Sequence, residues 1–487
     1  MISRIPPELR AALAPGAGYS LLIKGAPGTG KTMLAFEILN EFGGENAVYL
    51  STRVSLPALY KQLPWLEERG DSISVIDATK LYPSQKGFSG LRSFSDVLYE
   101  KLGEAEKTAT LVIDSWEAIT SEEKEEKIEE LEAAITSMVR QYATQYKMNL
   151  ILISERTGTT QLDYLVDGII EMKRISVDNR RGREMLLEKL RGVRVDQHHY
   201  GFTLDDGRFR YFPPFERRRV EKPRRVATIR NTATHLSTGC VELDAILDGG
   251  LSKGSTAIIE YGDDLSLLGY QSIIAHMIIN SIQQGTHCVV IPSSGWDERR
   301  LRRGIVPFVN EEDYLKYLTV FEIRKAKAEG CMWCGGEVAS PTASETERDE
   351  TETRENVKVL GGLSMDEDFP LFADFITHLE PPVMVIIGTD LLEFQYRLKT
   401  LGNLEEALEL FSYWVMELRE AGNVGIFGMP SESALSSGLG QMVTTRFKLA
   451  VLDRSVVLYC NRPDTKLHCL ENDITEDTLG LTLTPFV

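Results

Sequence analysis

Eight residues near the start of the chain have the types and spacing that bind phosphate. They form the string GAPGTGKT and follow the apolar run YSLLI. Glycine lets the backbone adopt conformations closed to other residues, so that successive N–H groups can point at one phosphate chain. The lysine can neutralise the β- and γ-phosphates, the threonine hydroxyl can bind Mg²⁺, and the next helix presents its positive amino end. The string therefore predicts an ATP site with Mg²⁺, formed by Gly25, Ala26, Pro27, Gly28, Thr29, Gly30, Lys31 and Thr32.

A second sequence element, which carries an acidic residue, fits this phosphate site. The run Leu111-Val112-Ile113-Asp114 is a candidate buried strand that ends in a carboxylate. A carboxylate at the end of a strand, downstream of a phosphate loop, holds the Mg²⁺ ion or its water shell in P-loop proteins. The sequence therefore predicts Thr32 and Asp114 as the metal-binding pair, and Lys31 as the residue that acts on the phosphates.

The elements that must position these residues alternate along the first half of the chain. Apolar β-type runs lie at 19–24, 47–51, 73–76, 110–114 and 149–154, and helical patterns lie at 32–42, 55–69, 91–102 and 121–147. This order predicts an α/β domain at residues 1–212, with a mainly parallel sheet flanked by helices.

A basic segment divides the chain. Residues 208–225 contain eight Lys or Arg against two Glu, and prolines interrupt the segment, so we expect an extended linker at 213–234. Strand candidates at 256–261, 287–292, 383–389 and 424–428 then predict a second α/β domain at 235–487. Residues 339–357 are polar and are expected to form a disordered insertion in it.

Composition limits the possible classes of protein. The chain has 487 residues and a formal net charge of −18, which disfavours broad nucleic-acid binding because phosphates would be repelled. No long uncharged apolar run or signal-type leader is evident, so a cytoplasmic location is expected. Six cysteines do not form a disulfide framework. Cys331 and Cys334 are spaced as half of a zinc site, and metal binding and an incidental pair of thiols both remain open.

Further strings resemble the KaiC-like branch of the RecA superfamily of ATPases. They are LDYLVDGIIEMKR at 162–174, LEKLRGVR at 187–194 and HLSTGCVELDAILDGGL at 235–251. The resemblance covers nearly the whole chain and implies two tandem RecA/KaiC-like domains. It also implies that Lys189 and Arg191 reach the nucleotide of a neighbouring subunit, as trans-acting fingers. A homo-oligomer follows, with a hexameric ring as the family tendency.

Within that branch, the strings IPPELR, SLLIKGAPGTGKT and VYLSTRVS, with the arginine-rich clusters, resemble the archaeal gas-vesicle regulator family GvpD. The resemblance implies a negative regulator of gas-vesicle gene activation that engages an activator protein. Two basic clusters, at 173–194 and 208–225, could dock such a partner or a nucleic acid, or could be solvated surface. The acidic chain and the scarcity of interleaved aromatic residues favour a protein partner.

The sequence departs from the family at the place of the catalytic base. KaiC-like ATPases usually carry two adjacent carboxylates after the second strand, whereas this chain has Thr52 and Arg53. Neither can activate water as a general base, because Arg53 stays cationic at ordinary pH. Glu117 and Glu155 are alternative bases. We therefore expect tight ATP binding with slow or no turnover.

The second domain departs further. Its loop Gly262-Asp263-Asp264 has no lysine and carries acids that repel phosphate, which predicts a degenerate domain without a P-loop. Together these features predict an ATP-binding regulator of a protein partner. The alternative is an active RecA-like ATPase that depends on DNA and works in recombination or repair.

Overall fold

The computed structural model of the chain contains two compact units. The first comprises Met1–Pro213 with Pro485–Val487, and the second comprises Pro214–Thr484. The structure describes residues 3–14, 18–43, 47–68, 73–79, 110–117, 147–216, 220–293, 295–324, 355–399, 403–474 and 479–487. The predicted helices at 91–102 and 121–147, the Cys331–Cys334 pair and most of the predicted insertion at 339–357 lie outside these residues.

In the first unit, strands and helices alternate along the parallel part of the sheet. The strands are β1 (Ser20–Lys24), β2 (Ala47–Ser51), β3 (Ile73–Asp77), β4 (Thr110–Asp114), β5 (Asn149–Ser154), β6 (Gly168–Val177), β7 (Arg180–Leu190), β8 (His199–Thr203) and β9 (Arg210–Tyr211). The described helices are α1 (Pro7–Ala12), α2 (Lys31–Phe42), α3 (Leu56–Gln62), α4 (Pro64–Glu68) and α5 (Gln161–Leu165). The helical pattern at 55–69 is thus divided in two at Pro64, whose ring cannot continue a helix from the preceding residue.

The nine strands form one sheet in the order β3-β2-β4-β5-β1-β6-β7-β8-β9. The strands from β3 to β6 are parallel, and those from β6 to β9 are antiparallel. In the parallel register Ser51 pairs with Asp114, and Lys24 pairs with Ser154. The carboxyl ends of β2, β4, β5 and β1 therefore meet along one edge of the sheet, where the phosphate-loop string begins.

The sheet is buried on both faces, as its apolar runs predict. Leu21 and Ile23 of β1 pack into a core with α2, while Leu22 between them packs into a second core on the opposite face. Because successive side chains point to opposite faces, one strand contributes to both cores. Burial of each leucine or isoleucine stabilises the fold by roughly 1.5–3 kcal/mol.

The second unit repeats this topology. Its strands are β10 (His235–Leu236), β11 (Leu251–Ser252), β12 (Thr256–Tyr261), β13 (Cys288–Ile291), β14 (Leu318–Ile323), β15 (Val357–Leu360), β16 (Met384–Gly388), β17 (Val424–Pro430), β18 (Thr445–Leu452), β19 (Ser455–Arg462), β20 (His468–Ile474) and β21 (Leu479–Pro485). Its helices are α6 (Val241–Ile246), α7 (Leu265–Gln283), α8 (Glu298–Ile305), α9 (Glu311–Tyr317), α10 (Met365–Thr377), α11 (Thr389–Gln395), α12 (Asn403–Glu420) and α13 (Ser436–Met442).

The large sheet of the second unit has the order β15-β14-β13-β16-β17-β12-β18-β19-β20-β21. From β14 to β20 the order of strands in this sheet matches the order from β3 to β8 in the sheet of the first unit, with β12 in the place of β1. The two units are therefore tandem RecA-like domains, as predicted. Helix α7 is long and apolar enough to cross a membrane by composition, but 67 % of that window is buried inside the unit, as in a core helix.

The string STGCVELD at the start of the second unit forms a buried polar cluster. The carboxylate of Asp244 accepts hydrogen bonds from the Ser237 hydroxyl and from the Thr238 N–H and hydroxyl, the last two at 2.7 and 2.6 Å. Asp244 is only 8 % exposed, so these donors replace the water that its charge loses on burial. This string, which resembles the opening of a KaiC-like domain, thus stabilises the fold by joining the segment before α6 to that helix.

We predict that Asp244→Asn lowers the free energy of unfolding of the second unit by about 1–3 kcal/mol, because buried donors lose their charged acceptor. The measurement is urea-induced unfolding, monitored by circular dichroism. Glu242→Gln is the matched control, since Glu242 is on the same helix and only partly buried. Equal transition midpoints for the two variants would contradict the structural role of Asp244.

Candidate functional site

The phosphate-loop string folds as a tight turn between β1 and α2. Gly25 has φ 152° and Gly30 has φ 107°, both in the left-handed range that side chains disfavour. A Cβ on Gly25 would lie 2.4 Å from the carbonyl oxygen of Met172 in β6. The glycines are therefore required both by backbone conformation and by the close approach of the neighbouring strand.

Lys31 begins α2 and folds back over the loop. Its Nζ donates to the carbonyl oxygens of Gly25 and Ala26, at 2.7 and 3.0 Å. Burial is the main cause that lowers the pKa of Lys31, and the carboxylates of Glu155, Asp114 and Glu117 oppose this shift. The ammonium thus lies inside the loop, in a cluster of nearby acids, where a phosphate would be a stronger acceptor than a carbonyl.

Thr32 and Asp114 are brought together, as the sequence predicts. The Thr32 hydroxyl donates to Asp114 Oδ2 at 2.6 Å, and the Tyr49 hydroxyl donates to the same oxygen at 2.6 Å. Burial raises the pKa of Asp114, while the two hydroxyl donors and Lys31 lower it. A hydroxyl and a carboxylate at this spacing are hard oxygen ligands of the kind Mg²⁺ prefers, so the pair fits the implied metal ion.

The amino end of α2 has no side-chain cap. Its N-cap residue is Gly30, and within the part of the chain that the structure describes no side chain accepts a hydrogen bond there. The first N–H groups of a helix have no partners within the helix, and together they carry a partial positive charge. This end of α2 can therefore receive an anion, and the residues present fit the phosphates of a nucleotide.

Backbone carbonyls of the loop are held by two arginines of the basic cluster at 173–194, for which a docking surface and a solvated surface were both open interpretations. Arg174 Nη2 donates to the Pro27 carbonyl at 2.5 Å, and Arg183 Nη1 donates to the Gly28 and Thr29 carbonyls at 3.1 Å each. Arg183 is buried, and burial is the main cause that lowers its pKa, with the charges of other arginines adding to it. Arg183 is thus unavailable to a partner. The hairpin of β6 and β7 could have suggested the contact only once the order of strands was known.

The Thr52 side chain is fixed in a buried position at the end of β2. Its hydroxyl accepts from Ser115 N at 2.7 Å and donates to Ser115 O at 2.9 Å. Arg53 Nη1 pairs with Glu155 Oε2, and Glu117 accepts a hydrogen bond from the Ser154 hydroxyl. The place where the family usually has two carboxylates therefore holds a tied hydroxyl and a paired cation.

The predicted trans-acting fingers lie away from their own loop. Lys189 pairs with Ile169 near the start of β6, whereas the loop follows the end of the neighbouring strand β1. Lys189 Nζ donates to the carbonyls of Asp163 and Val166 at 2.8 and 2.6 Å, and Arg191 Nη1 lies 3.7 Å from Asp167 Oδ1. The structure does not bring Lys189 and Arg191 to the phosphate loop of the same chain.

The corresponding loop of the second unit is closed by the protein itself. The side chain of Asp264 caps α7 and accepts from Ser266 N at 2.9 Å and from the Ser266 hydroxyl at 2.6 Å. Behind the loop, the rings of Tyr261 and Tyr270 stack with centroids 4.5 Å apart. A carboxylate of the chain itself thus caps the amino end of α7, whereas none of the described side chains caps the corresponding end of α2.

Comparison with known proteins agrees with this geometry. Residues 16–213 match the family model described as "ATPase: KaiC". The first unit therefore resembles the KaiC-like ATPases of the RecA superfamily, and the predicted resemblance to that branch is confirmed.

Two proteins with similar sequences are GvpD proteins. Protein GvpD2 of Halobacterium salinarum is 26 % identical over an alignment of 514 positions, gaps included, which covers 100 % of this chain and 97 % of GvpD2. Protein GvpD1 of the same organism is 28 % identical over 336 residues, which cover 65 % of this chain and 61 % of GvpD1. A KaiC-like protein of Pyrococcus horikoshii OT3 has a solved structure that covers 40 % of this chain and 90 % of its own, with 21 % identity and a TM-score of 0.35. Residues 16–213 are thus similar to KaiC-like ATPases, and the whole chain is similar to GvpD2.

We predict that Arg183→Met increases amide hydrogen exchange in residues 25–31, because the Gly28 and Thr29 carbonyls lose their donor. Charge-assisted hydrogen bonds contribute roughly 1.5–3 kcal/mol, so exchange in the loop should rise about tenfold. Arg181→Met, at an exposed position in the same strand, is the control and should leave exchange unchanged. Equal exchange in the two variants would show that Arg183 does not hold the loop.

Proposed function

We propose that this chain binds Mg-ATP in its first unit, turns it over slowly or not at all, and controls a protein partner. The observation that carries the proposal is the juxtaposition of Lys31, Thr32 and Asp114 at the uncapped start of α2. A lysine, a hydroxyl and a carboxylate in this arrangement match the parts that hold the β- and γ-phosphates and Mg²⁺ in P-loop proteins. The metal would supply charge neutralisation of the phosphates.

Slow turnover follows from the groups at the end of β2. Thr52 is tied to Ser115 on both sides of its hydroxyl, and Arg53 is a cation. Without a free carboxylate there, positioning and charge neutralisation remain, but a water molecule lacks the usual general base. Glu117 and Glu155 stay the alternative bases.

The proposed partner is an acidic protein, and the relationship to GvpD makes a gas-vesicle gene activator the specific candidate. The chain offers cations in the segment after the first unit, where Lys222, Arg224, Arg225 and Arg230 are exposed. Opposite charge across an interface speeds association and selects partners. The acidity of the whole chain favours this over nucleic acid, and we place the protein in the cytoplasm.

We predict that Lys31→Ala weakens Mg-ATP binding about 100-fold, because charge-assisted hydrogen bonds to the phosphates are lost. The measurement is isothermal titration calorimetry on the full chain, with circular dichroism to establish the fold. Lys61→Ala, at an exposed lysine of α3, is the matched control. Unchanged affinity in Lys31→Ala would remove the proposed site. Fast ATP hydrolysis that depends on Lys31 and is stimulated by DNA would favour a RecA-like DNA-dependent ATPase instead.

We further propose that Lys189 and Arg191 act across a homo-oligomer, such as a hexameric ring. In the strand register Lys189 lies three residues and Arg191 five residues before the start of their own loop, which is roughly 10 and 16 Å of strand length. Arg191→Ala should abolish ATP-dependent assembly in size exclusion with mass detection, and Lys189→Ala should do the same. Arg194→Ala, whose side chain is 89 % exposed, is the control and should assemble normally. A wild-type monomer with and without ATP would contradict the trans-acting role.

A further inference from the structure

The ion pair of Arg53 and Glu155 crosses the end of the strand that carries Asp114. Arg53 follows β2 and Glu155 follows β5, and β4 lies between those two strands in the sheet. To pair with Glu155, the guanidinium must therefore extend over the carboxyl end of β4. The two side chains together bridge two strand spacings, each about 4.8 Å.

This path brings the guanidinium close to the phosphate loop. β5 is paired with β1, and Ser154, which precedes Glu155, is in register with Lys24, which precedes Gly25. The pair thus ends one strand away from the start of the loop. Its two charges also act on the Lys31 ammonium, whose pKa Glu155 raises and Arg53 lowers.

A nucleoside triphosphate at this loop changes the balance of charge around the pair. Its γ-phosphate would repel the Glu155 carboxylate and attract the Arg53 guanidinium, which can bind phosphate oxygens with two parallel N–H donors. The side chains are 50 % and 31 % exposed, and an ion pair of that exposure contributes little to stability because water screens it. Exchange of Glu155 for a phosphate therefore costs little.

The backbone beside Arg53 is suited to such an exchange. Thr52 N donates to Asp114 O at 2.7 Å, and the Thr52 hydroxyl is bonded to Ser115. The main chain next to Arg53 is thus anchored to the strand end that carries Asp114. A change of partner by Arg53 requires rotation of its side chain alone.

We propose that Arg53 is the residue that recognises the γ-phosphate, leaving Glu155 for the terminal phosphate so that the site distinguishes nucleoside triphosphates from diphosphates. This assignment rests on the proposed nucleotide binding and adds to it a specific role for a cation at the position where the family has carboxylates. Glu155 competes with the phosphate for Arg53, and the nucleotide decides which of the two is paired.

The experiment measures the affinities of the full chain for Mg-ATP and Mg-ADP by isothermal titration calorimetry, in wild type, Arg53→Met, Arg53→Lys and Glu155→Gln. Arg53→Met should weaken ATP binding about tenfold while changing ADP binding less than about twofold, because only ATP carries the γ-phosphate. Glu155→Gln should strengthen ATP binding about threefold by removing the competitor, and Arg53→Lys should recover part of the ATP preference.

Arg156→Met is the matched control, since Arg156 is an exposed arginine after the same strand, and it should keep the wild-type ratio of the two affinities. Equal losses of ATP and ADP affinity in Arg53→Met would overturn the assignment, because a structural ion pair would affect both nucleotides alike. A wild-type chain that binds neither nucleotide would instead overturn the proposed function itself, so the two failures are distinguishable.

Discussion

The N–H groups at the start of a helix need acceptors from outside the helix, and the two units meet this constraint in opposite ways. In the second unit the Asp264 carboxylate accepts from Ser266 and supplies the negative charge from within the chain. In the first unit Gly30 stands at the same place in the topology and has no side chain to offer. The two sheets share one strand order, so the difference lies in a few residues after the first strand of each. An external anion can compete for the first site, whereas at the second it would have to displace a carboxylate.

A loop that turns its N–H groups toward an anion must turn carbonyl groups elsewhere, and these also need partners. Arg174 and Arg183 donate to the carbonyls of three successive loop residues, and Lys31 donates to the first two carbonyls of the string. Part of the basic cluster at 173–194 is therefore an internal support of the loop. The exposed cations after the first unit are better placed for a partner, because they are not used to hold the loop.

Local patterns were sufficient to predict the loop, the strands β1 to β5 and the contact of Thr32 with Asp114, because a βαβ order fixes where carboxyl ends of strands meet. The support by Arg183 could not be predicted in this way, since it joins residues 155 positions apart across a hairpin packed against the loop. The same holds for Arg53. Its sequence position indicated a missing base, but its pairing with Glu155 depends on β4 lying between β2 and β5. The apolar spacing at 55–69 predicted one helical pattern, whereas the structure has two helices. The division follows from the ring of Pro64, whose steric effect is not part of the apolar spacing.

A cation in place of a carboxylate changes what binding energy can do at this site. A general base acts mainly in the transition state, where it takes a proton from the attacking water, and so it raises the rate. A guanidinium on the γ-phosphate interacts with the bound triphosphate before any reaction. To the extent that it stabilises the ground state and the transition state equally, it raises affinity without raising turnover. On the proposed binding mode, Arg53 therefore favours a protein whose state reports which nucleotide is bound, over one that is driven by hydrolysis.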